Sequence, residues 1–332
     1  MTAAASSQAR GRFFGVFCVL GASVLWGTTG TAATFAPHVS PLAIGAVAMG
    51  IGGLLQMLLA LRTIAIDRSR LREHWRLVLM GAIAVAIYPL AFYSSMRLAG
   101  VTIGTVITIG SAPLLSTIIE RVFDGKPLTV RWMIGATLGS IGTLLLCIAK
   151  ARGHADSSVH ASLLQSVSGV LLGLVAGVTY ALYSWTAHRL MRKDISSSAA
   201  MGATFGLGGL LLIPVLLVTG ASLLQSWNNA MVGLYMILVP MFLGYILFGI
   251  GLSRITASTA TTLSLIEPVV AAALAVVIVG ERLPPLGWVG AALIVCCLYV
   301  LVRQPQAQEE EIEAQPSTPL PRIDTVGSQA SR

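Results

Sequence analysis

Long apolar segments separated by short polar stretches dominate the pattern of this chain. The hydrocarbon core of a bilayer is about 30 Å thick, and a helix rises 1.5 Å per residue, so about 20 apolar residues cross it. Ten segments approach or exceed this length, and each predicts a membrane-spanning helix. They lie at 13–35, 42–61, 77–96, 102–119, 132–149, 166–187, 199–219, 231–251, 258–279 and 286–302. The pattern therefore predicts an all-α integral membrane protein with ten transmembrane helices.

The composition supports a chain embedded in the lipid bilayer. Of its 332 residues 55% are hydrophobic and 10% are charged, whereas a soluble domain has about 25% charged residues. The net charge of +8 would suit nucleic acid in a soluble protein, but here the basic residues flank the apolar segments. We therefore expect lipid as the surroundings and no nucleic-acid partner. The four cysteines fall within predicted spans without metal-ligand spacing, which predicts no metal site.

The distribution of positive charge predicts the orientation of the chain. With the N-terminus in the cytoplasm, seventeen of the twenty-one Lys and Arg residues fall on the cytoplasmic side. The opposite side receives four, namely Arg97, Lys150, Arg152 and Arg282. Positive charge is enriched in cytoplasmic loops, so both termini are predicted to face the cytoplasm from an inner or plasma membrane.

An internal repeat divides the predicted helices into two halves. A shift of 155 residues places 111–136 over 266–291 with six identities, which include Pro113 on Pro268 and Gly125 on Gly280. Each half has five spans, an odd number, so the second copy must enter the membrane in the opposite sense. Such inverted repeats are typical of secondary transporters. The predicted units are a cytoplasmic N-terminus at 1–12, a first repeat at 13–149, a linker at 150–165, a second repeat at 166–302 and a disordered cytoplasmic tail at 303–332.

Several motifs of the chain are similar to one known family. They are the Trp26-Gly27 pair, the segment Leu265–Ala272 that contains Glu267 and Pro268, and the turn Gly280–Leu283. With the inverted repeat, they resemble the drug/metabolite transporter superfamily, and more narrowly its EamA-type bacterial members. The resemblance implies transport of metabolites such as amino acids.

Glu267 is the only Asp, Glu, Lys, Arg or His within any predicted span. A charged carboxylate near the bilayer centre costs about 2.5–3.5 kcal/mol on insertion scales. It must be protonated, exposed to a water-filled cavity, or matched by a bound group. Pro268 follows it and has no N–H, so we expect the carbonyl of Ser264 to lack its helical partner. A Glu267 side chain that is hydrogen-bonded only for packing is the alternative.

Other residues are candidates to line a solute path around Glu267. Pro113 is predicted to break helix four as Pro268 breaks helix nine. Trp26 and Tyr180 occupy equivalent positions in the two halves, deeper than membrane-interface anchors need to be. The remaining candidates for substrate contact are polar or aromatic residues in span interiors, namely Ser264, Tyr93, Tyr245, Ser111 and Thr108.

These features predict a secondary active transporter, an exporter of small metabolites such as amino acids, which works by alternating access with proton coupling at Glu267. Efflux of drugs or quaternary amines, and passive flow through a channel, remain alternatives. The histidines lie in loops or at span ends and no Asp lies within a span, so we expect no enzyme activity. The chain has no P-loop motif, and we expect no cofactor. Small residues spaced four apart leave a homodimer open.

Overall fold

The described part of the chain is helical throughout. A computed structural model describes residues 2–99, 101–125, 130–153, 163–280 and 283–302, and these ranges contain no β-strand. An all-helical fold is expected in a membrane, because every backbone N–H and C=O group must find a partner where water is absent.

Fourteen α-helices are present in these ranges. They are α1 Thr2–Gly27, α2 Thr29–Thr34, α3 Pro41–Ile66, α4 Arg68–Glu73, α5 Trp75–Ala99, α6 Val101–Asp124, α7 Val130–Gly153, α8 Leu163–Met191, α9 Ser197–Thr219, α10 Trp227–Met236, α11 Gly244–Leu252, α12 Ala257–Leu263, α13 Glu267–Leu274 and α14 Pro285–Val302. Some of these helices continue into turns of other geometry. Wider π-helical turns lie at Ile237–Leu243 and Ala275–Val279, and tighter 3₁₀ turns lie at Gly220–Leu224 and Ser264–Ile266.

Seven helical segments are long and apolar enough to cross a membrane. They are Arg10–Thr34, Pro41–Ile66, Trp75–Ala99, Val167–Met191, Ser197–Leu224, Trp227–Leu252 and Ala257–Ile278. Two further apolar helical stretches, Trp132–Leu146 and Pro285–Val300, are shorter. The prediction of a multi-pass membrane protein is therefore confirmed, whereas the count of ten spans stays a prediction.

The predicted boundaries shift where helices extend beyond their apolar cores. Helix α1 begins at Thr2, so most of the segment predicted as a cytoplasmic N-terminus is helical. Helix α7 continues to Gly153 and α8 begins at Leu163, which shortens the predicted linker at both ends. The middle of that linker, the tail at 303–332, and Glu281 and Arg282 of the predicted turn lie outside the described residues.

Close helix pairs hold the bundle together. Helix α3 runs along α9, α5 along α8, α7 along α14 and α1 along α11, while α6 contacts both α8 and α12. Small residues allow these contacts, since lipid tails provide no hydrophobic driving force and helices associate mainly through close packing. A Cβ atom at Gly142 would lie 2.7 Å from the carbonyl oxygen of Gly290, so α7 and α14 meet backbone to backbone.

Two glycines end helices in the left-handed region of backbone space. Gly125 follows α6 with φ of 68°, and Gly280 follows the π-helical turn after α13 with φ of 80°. Glycine adopts this conformation at helix C-termini without the steric cost of a Cβ atom. These are the two glycines that the shift of 155 residues superimposes, so the repeat in sequence has a counterpart in backbone conformation.

We expect the Gly53→Ala variant to be less stable than the wild-type protein. A Cβ atom at Gly53 would collide with the carbonyl oxygen of Phe205 and lie 3.0 Å from its carbonyl carbon, so α3 and α9 must move apart. Overpacking of this kind costs about 1–3 kcal/mol, more than the roughly 1 kcal/mol by which Ala favours a helix over Gly.

Gly110→Ala is the matched control, because nothing lies within 4 Å of its added Cβ atom. Thermal unfolding in detergent should show a lower melting temperature for Gly53→Ala and an equal or higher one for Gly110→Ala. Equal shifts in the two variants would contradict the close contact of α3 with α9.

Candidate functional site

A small cavity lies within the bundle, where residues of α1, α3, α5, α8, α11, α13 and the π-helical turn at Ile237–Leu243 meet. Its volume is about 40 Å³, and a buried water needs roughly 10–15 Å³ by the same measure. The space therefore suits a few waters but no larger solute. Seven aromatic residues and one carboxylic acid are among its lining residues, namely Trp26, Tyr88, Phe92, Tyr93, Tyr180, Tyr183, Tyr245 and Glu267.

Glu267 is the first residue of α13 and is half-buried. No Lys, Arg or His lines the cavity with it, and within the described residues its carboxyl group makes no hydrogen bond or ion pair. The alternative was a carboxyl group held by a neighbouring helix for packing alone. No hydrogen bond in the described structure supports it.

The chain before Pro268 tightens instead of leaving an open carbonyl. Residues Ser264–Ile266 form a 3₁₀ turn, and the backbone N–H of Glu267 donates to the Ser264 carbonyl. The prediction of an unpartnered carbonyl at Ser264 was therefore wrong, since an i→i+3 bond replaces the bond that proline cannot make. The Ser264 hydroxyl is buried, where it accepts from the Tyr180 hydroxyl at 2.8 Å and donates to the Thr261 carbonyl at 2.7 Å.

Helix α1 fixes the position of Glu267 through a close backbone approach. A Cβ atom at Gly27 would lie 2.7 Å from Cβ of Val270 and 3.0 Å from the carbonyl oxygen of Glu267. Only glycine allows α1 to pass α13 at this distance. The neighbouring Trp26 thereby enters the cavity wall beside the carboxyl group, which explains the Trp26-Gly27 pair in physical terms.

The π-helical turn around Pro240 forms another part of the wall. Pro240 has no N–H to donate, and wide turns of this kind leave backbone carbonyls available. Trp26 Nε1 donates to the Pro240 carbonyl at 2.9 Å, and Gln56 Nε2 donates to the Met241 carbonyl at 3.3 Å. Side chains from α1 and α3 thus stabilise the irregular backbone next to the cavity.

The aromatic residues contact one another around the cavity. The ring centroids of Trp26 and Tyr245 are 4.9 Å apart, those of Tyr88 and Tyr180 are 5.7 Å apart, and the hydroxyls of Tyr183 and Tyr245 are hydrogen-bonded at 3.0 Å. Aromatic faces attract cations. The structure brings Trp26, Tyr180, Tyr93 and Tyr245 together around this cavity, and their contact with a solute stays a prediction.

Three aromatic residues of this wall, Tyr88, Phe92 and Tyr183, were not among the predicted substrate contacts. Their spacing carried a signal, because Tyr88 and Phe92 are four residues apart and Tyr180 and Tyr183 three apart. Residues at these spacings share one face of a helix.

Thr108 and Ser111, two predicted substrate contacts, lie in the packing between helices, and the predicted break at Pro113 is absent. The Thr108 hydroxyl donates to the Gly173 carbonyl at 3.1 Å, and Ser111 lies against Gly177, so both fill the contact between α6 and α8 outside the cavity. Helix α6 runs through Pro113 without interruption. The predicted break there was wrong, because one missing hydrogen bond is tolerated within a long helix that packs against α8.

Three carboxylates near the helix ends connect the two predicted halves. Glu120 is buried, and its Oε2 accepts from the Ser258 hydroxyl at 2.6 Å while Oε1 accepts from the Ser258 N–H at 3.3 Å. Asp67 accepts from the hydroxyl and N–H of Ser196 at 2.8 and 2.9 Å. We refer to the contacts of Glu120 with Ser258, of Asp67 with Ser196 and of Asp124 with Trp185 and Arg189 as the carboxylate clasps.

The third clasp joins Asp124 to α8. Its carboxylate accepts from Trp185 Nε1 at 2.6 Å and forms an ion pair with Arg189. All three acids belong to 13–149 and all their clasp partners to 166–302. The sequence analysis missed them because each acid falls just outside a predicted span, and its partner is distant in sequence.

Neutral hydrogen bonds connect the halves at the opposite end of the bundle. The hydroxyls of Thr28 and Tyr235 are 2.7 Å apart, and the Asn228 amide donates to the Phe35 carbonyl. The cavity therefore lies between one end that is joined by carboxylates and another that is joined by uncharged groups.

We expect the Tyr180→Phe and Ser264→Ala substitutions to be coupled in their effect on stability. Each removes one partner of a buried hydrogen bond, so the double variant should be more stable than the sum of the two single effects implies. The coupling free energy should be about 0.5–1.5 kcal/mol, the range found between membrane helices.

Unfolding of the four proteins of this cycle in mixed micelles measures the coupling. Tyr183→Phe combined with Ser264→Ala is the control, because the Tyr183 hydroxyl bonds to Tyr245 instead. Additive effects of Tyr180→Phe and Ser264→Ala would contradict the hydrogen bond.

Comparisons with known proteins agree with this architecture. The sequence pattern of the EamA-like transporter family matches residues 13–148 and 167–303. A crystal structure of a protein with 22% sequence identity superimposes with a TM-score of 0.70, covering 90% of this chain and 98% of its own. That likeness supports the fold alone.

Curated relatives of the chain are named as transporters and exporters. Uncharacterized transporter YwfM of Bacillus subtilis is 34% identical and covers 90% of this chain and 97% of its own length. A probable terminal-alkyne amino-acid exporter of Streptantibioticus cattleyicolor is 24% identical over 86% of this chain and 96% of its own. The threonine/homoserine exporter RhtA of Salmonella typhimurium is 24% identical over 68% of this chain and 76% of its own.

The match of the family pattern extends over nearly the whole described chain, and the relative from Bacillus subtilis agrees with it over a similar length. The resemblance that the motifs suggested is therefore confirmed. The chain belongs to the EamA-like transporter family and is a multi-pass membrane transporter.

Proposed function

We propose that this protein is a secondary active transporter that exports a small amphipathic solute carrying an ammonium group, such as an amino acid. The observation that carries the proposal is the Glu267 carboxyl group, which has no partner within the described residues and faces a cavity walled by seven aromatic rings. A solute ammonium group would provide the missing partner.

The chemistry of the wall favours a cation or a zwitterion over an anion. A carboxylate and the negative faces of aromatic rings both attract an ammonium group, each more strongly where water is excluded. No cationic side chain lines the cavity to hold an anionic solute. The Tyr183 and Tyr245 hydroxyls are hydrogen-bonded to each other, and the one that accepts keeps its proton free to donate to the carboxylate of an amino acid.

The descriptions of two relatives support this solute class. One is described as an amino-acid exporter and another as a threonine/homoserine exporter. Both are 24% identical to this chain, so we propose the class of solute and the outward direction rather than a particular amino acid.

Several observations support the inverted repeat as the frame for this transport. The family pattern matches two ranges that agree with the proposed repeats 13–149 and 166–302. The helix contacts follow the same symmetry. If the two halves are exchanged, the contact of α1 with α11 becomes the contact of α8 with α5, and the contacts of α3 with α9 and of α7 with α14 are each unchanged. Gly125 and Gly280 share their backbone conformation.

The size and position of the cavity support alternating access. A space of about 40 Å³ must widen before a solute enters, and contacts between the halves close both ends of the bundle. We propose that the carboxylate clasps close the cytoplasmic end and the Thr28 and Tyr235 contact the outer end. This places both termini in the cytoplasm of a bacterial inner membrane, as the positive charges predict.

Proton coupling at Glu267 gives the export its energy in this proposal. A carboxyl group that binds either a proton or a solute ammonium group exchanges one for the other. An inward proton gradient then drives the solute outward. No step requires a cofactor or ATP.

Efflux of quaternary amines is a second candidate, which the seven aromatic rings favour. Rings that surround a cation are the usual receptor for quaternary ammonium groups. The two candidates differ in whether the solute carboxylate contributes to binding, so transport of alanine, threonine and tetramethylammonium under the same gradient separates them.

The Glu267→Gln substitution should slow transport and uncouple it from protons. The amide keeps the size of the side chain, but it neither takes up a proton nor forms an ion pair with the ammonium group of the solute. A charged hydrogen bond contributes about 1.5–3 kcal/mol, which corresponds to a loss of about tenfold to hundredfold. Transport into proteoliposomes should lose this factor and its dependence on an imposed pH gradient.

Glu73→Gln is the matched control, because Glu73 is an exposed acid on the short helix α4, outside the cavity. It should transport at the wild-type rate. A Glu267→Gln protein that keeps the wild-type rate and pH dependence would refute the proposal, provided that the panel contains a transported solute.

A disulfide across a carboxylate clasp should arrest transport reversibly. In a variant whose four native cysteines are replaced by alanine, Glu120→Cys and Ser258→Cys place two thiols at a contact between the halves. Oxidation should block the opening of this end and lower the transport rate about tenfold or more, and dithiothreitol should restore it.

Asp67→Cys with Ser196→Cys offers a second, independent pair at the same end. A variant with a single cysteine at Glu120 serves as the control for oxidation itself. Full transport by a protein with complete disulfide formation would show that this contact does not open during the cycle.

A further inference from the structure

A second and larger cavity opens between α1, α3, α9 and α11. Its volume is about 450 Å³, within the roughly 300–1,000 Å³ of ordinary ligand pockets. We define this lipid groove by its principal lining residues, namely Phe14, Leu59, Ser198, Met201, Ile250 and Arg254. It does not share a lining residue with the cavity around Glu267.

The wall of the groove combines apolar and basic groups. The exposed fraction is 53% for Phe14 and 62% for Leu59, so these side chains face the surroundings of the bundle. In a membrane transporter those surroundings are lipid. Arg254 follows the end of α11, where a helix leaves the apolar region. The groove therefore extends from a basic group at the membrane surface along an apolar wall.

The Arg254 side chain is fixed by contacts that leave some of its N–H donors without a hydrogen bond in the described chain. Its Nη1 donates to the Ile250 carbonyl at 2.8 Å and to the Ser253 hydroxyl at 3.1 Å, and its guanidinium carbon lies 5.0 Å from the centre of the Phe14 ring. Within the described chain Nε and Nη2 make no hydrogen bond, and Arg254 has no acidic partner. A guanidinium group binds phosphate oxygens with two such donors.

Basic residues flank the groove lining on α1 and α3. Arg10 lies four residues before Phe14 on α1, and Arg62 three residues after Leu59 on α3, so each shares the helix face of its apolar neighbour. No Asp or Glu is among the lining residues. The nearby Asp67 is buried, accepts hydrogen bonds from Ser196 and forms an ion pair with Arg70 at 3.5 Å.

We propose that this groove binds one anionic phospholipid, with its phosphate at Arg254 and an acyl chain along Phe14, Leu59, Met201 and Ile250. The Ser198 hydroxyl, at the start of α9, accepts from the Thr63 hydroxyl at 3.3 Å and keeps its own proton to donate to the lipid headgroup. With the proposed topology the lipid comes from the cytoplasmic leaflet, whose anionic lipids attract basic residues near the surface. This inference goes beyond the proposed function, because it concerns the lipid rather than the transported solute.

Native mass spectrometry of the full chain in mild detergent tests the proposal. Phosphatidylglycerol is the anionic probe and phosphatidylcholine the zwitterionic one. The wild-type protein should bind one phosphatidylglycerol about fivefold more tightly than phosphatidylcholine, since one basic residue near an anionic lipid contributes roughly this factor. Arg254→Gln should remove the preference, and Arg254→Lys should keep most of it.

Two further variants separate lipid binding from folding and from general surface charge. Ser198→Glu leaves Arg254 in place and adds a carboxylate at the groove, so it should also remove the preference. Arg72→Gln removes an exposed arginine of α4 outside the groove and should bind as the wild type does.

Three outcomes would overturn the proposal. They are equal binding of the two lipids by the wild-type protein, an unchanged preference in folded Ser198→Glu, and an equal loss in Arg72→Gln. None of these readouts involves solute transport, so failure of the lipid site and failure of the proposed function are distinguishable.

Discussion

Close backbone contact between helices is the interaction on which the rest of this structure depends. Helices in lipid have no hydrophobic reason to associate, so their stability comes from packing that small residues permit. Gly53 meets the backbone of α9, and Gly142 meets Gly290 of α14. The same device at Gly27 brings α1 against α13 beside Glu267. The packing that stabilises the bundle thus also positions the residues of the cavity.

The candidate site uses the places where helices depart from regular geometry. A 3₁₀ turn precedes Glu267, and a π-helical turn surrounds Pro240. Irregular backbone is tolerated at membrane depth only where protein or a cavity provides partners. Here Trp26 and Gln56 provide them from neighbouring helices. The proline residues matter because they force these turns, and neighbouring side chains then satisfy the backbone groups that the turns release.

Charge is distributed unequally around a scaffold whose two halves resemble one another. Glu267 faces the central cavity, whereas Ala112 occupies the equivalent position in the first half and is buried in the packing. The carboxylate clasps lie at one end of the bundle and neutral hydrogen bonds at the other. Under the proposed alternating access both ends open in turn, so each set of contacts must break and re-form during the cycle.

The sequence by itself determined the membrane class, the helical fold and the family, and it singled out Glu267. Long apolar runs admit only helices in lipid, and a lone carboxylate among them is costly enough to stand out. The identity of the aromatic wall was only partly visible, because Trp26 and Tyr180 shared repeat positions whereas Tyr88, Phe92 and Tyr183 did not stand out from other apolar residues. Spacing along a helix indicates a shared face but not what that face meets.

Only the tertiary structure decided which polar groups meet across helices. The roles of Glu120, Asp67 and Asp124 depend on Ser258, Ser196 and Arg189, which lie more than sixty residues away in the chain. It also moved Ser111 and Thr108 from the expected solute path to helix packing, and it showed that α6 continues through Pro113. These outcomes rest on distances of a few ångströms between separate helices, which no local pattern of residues specifies.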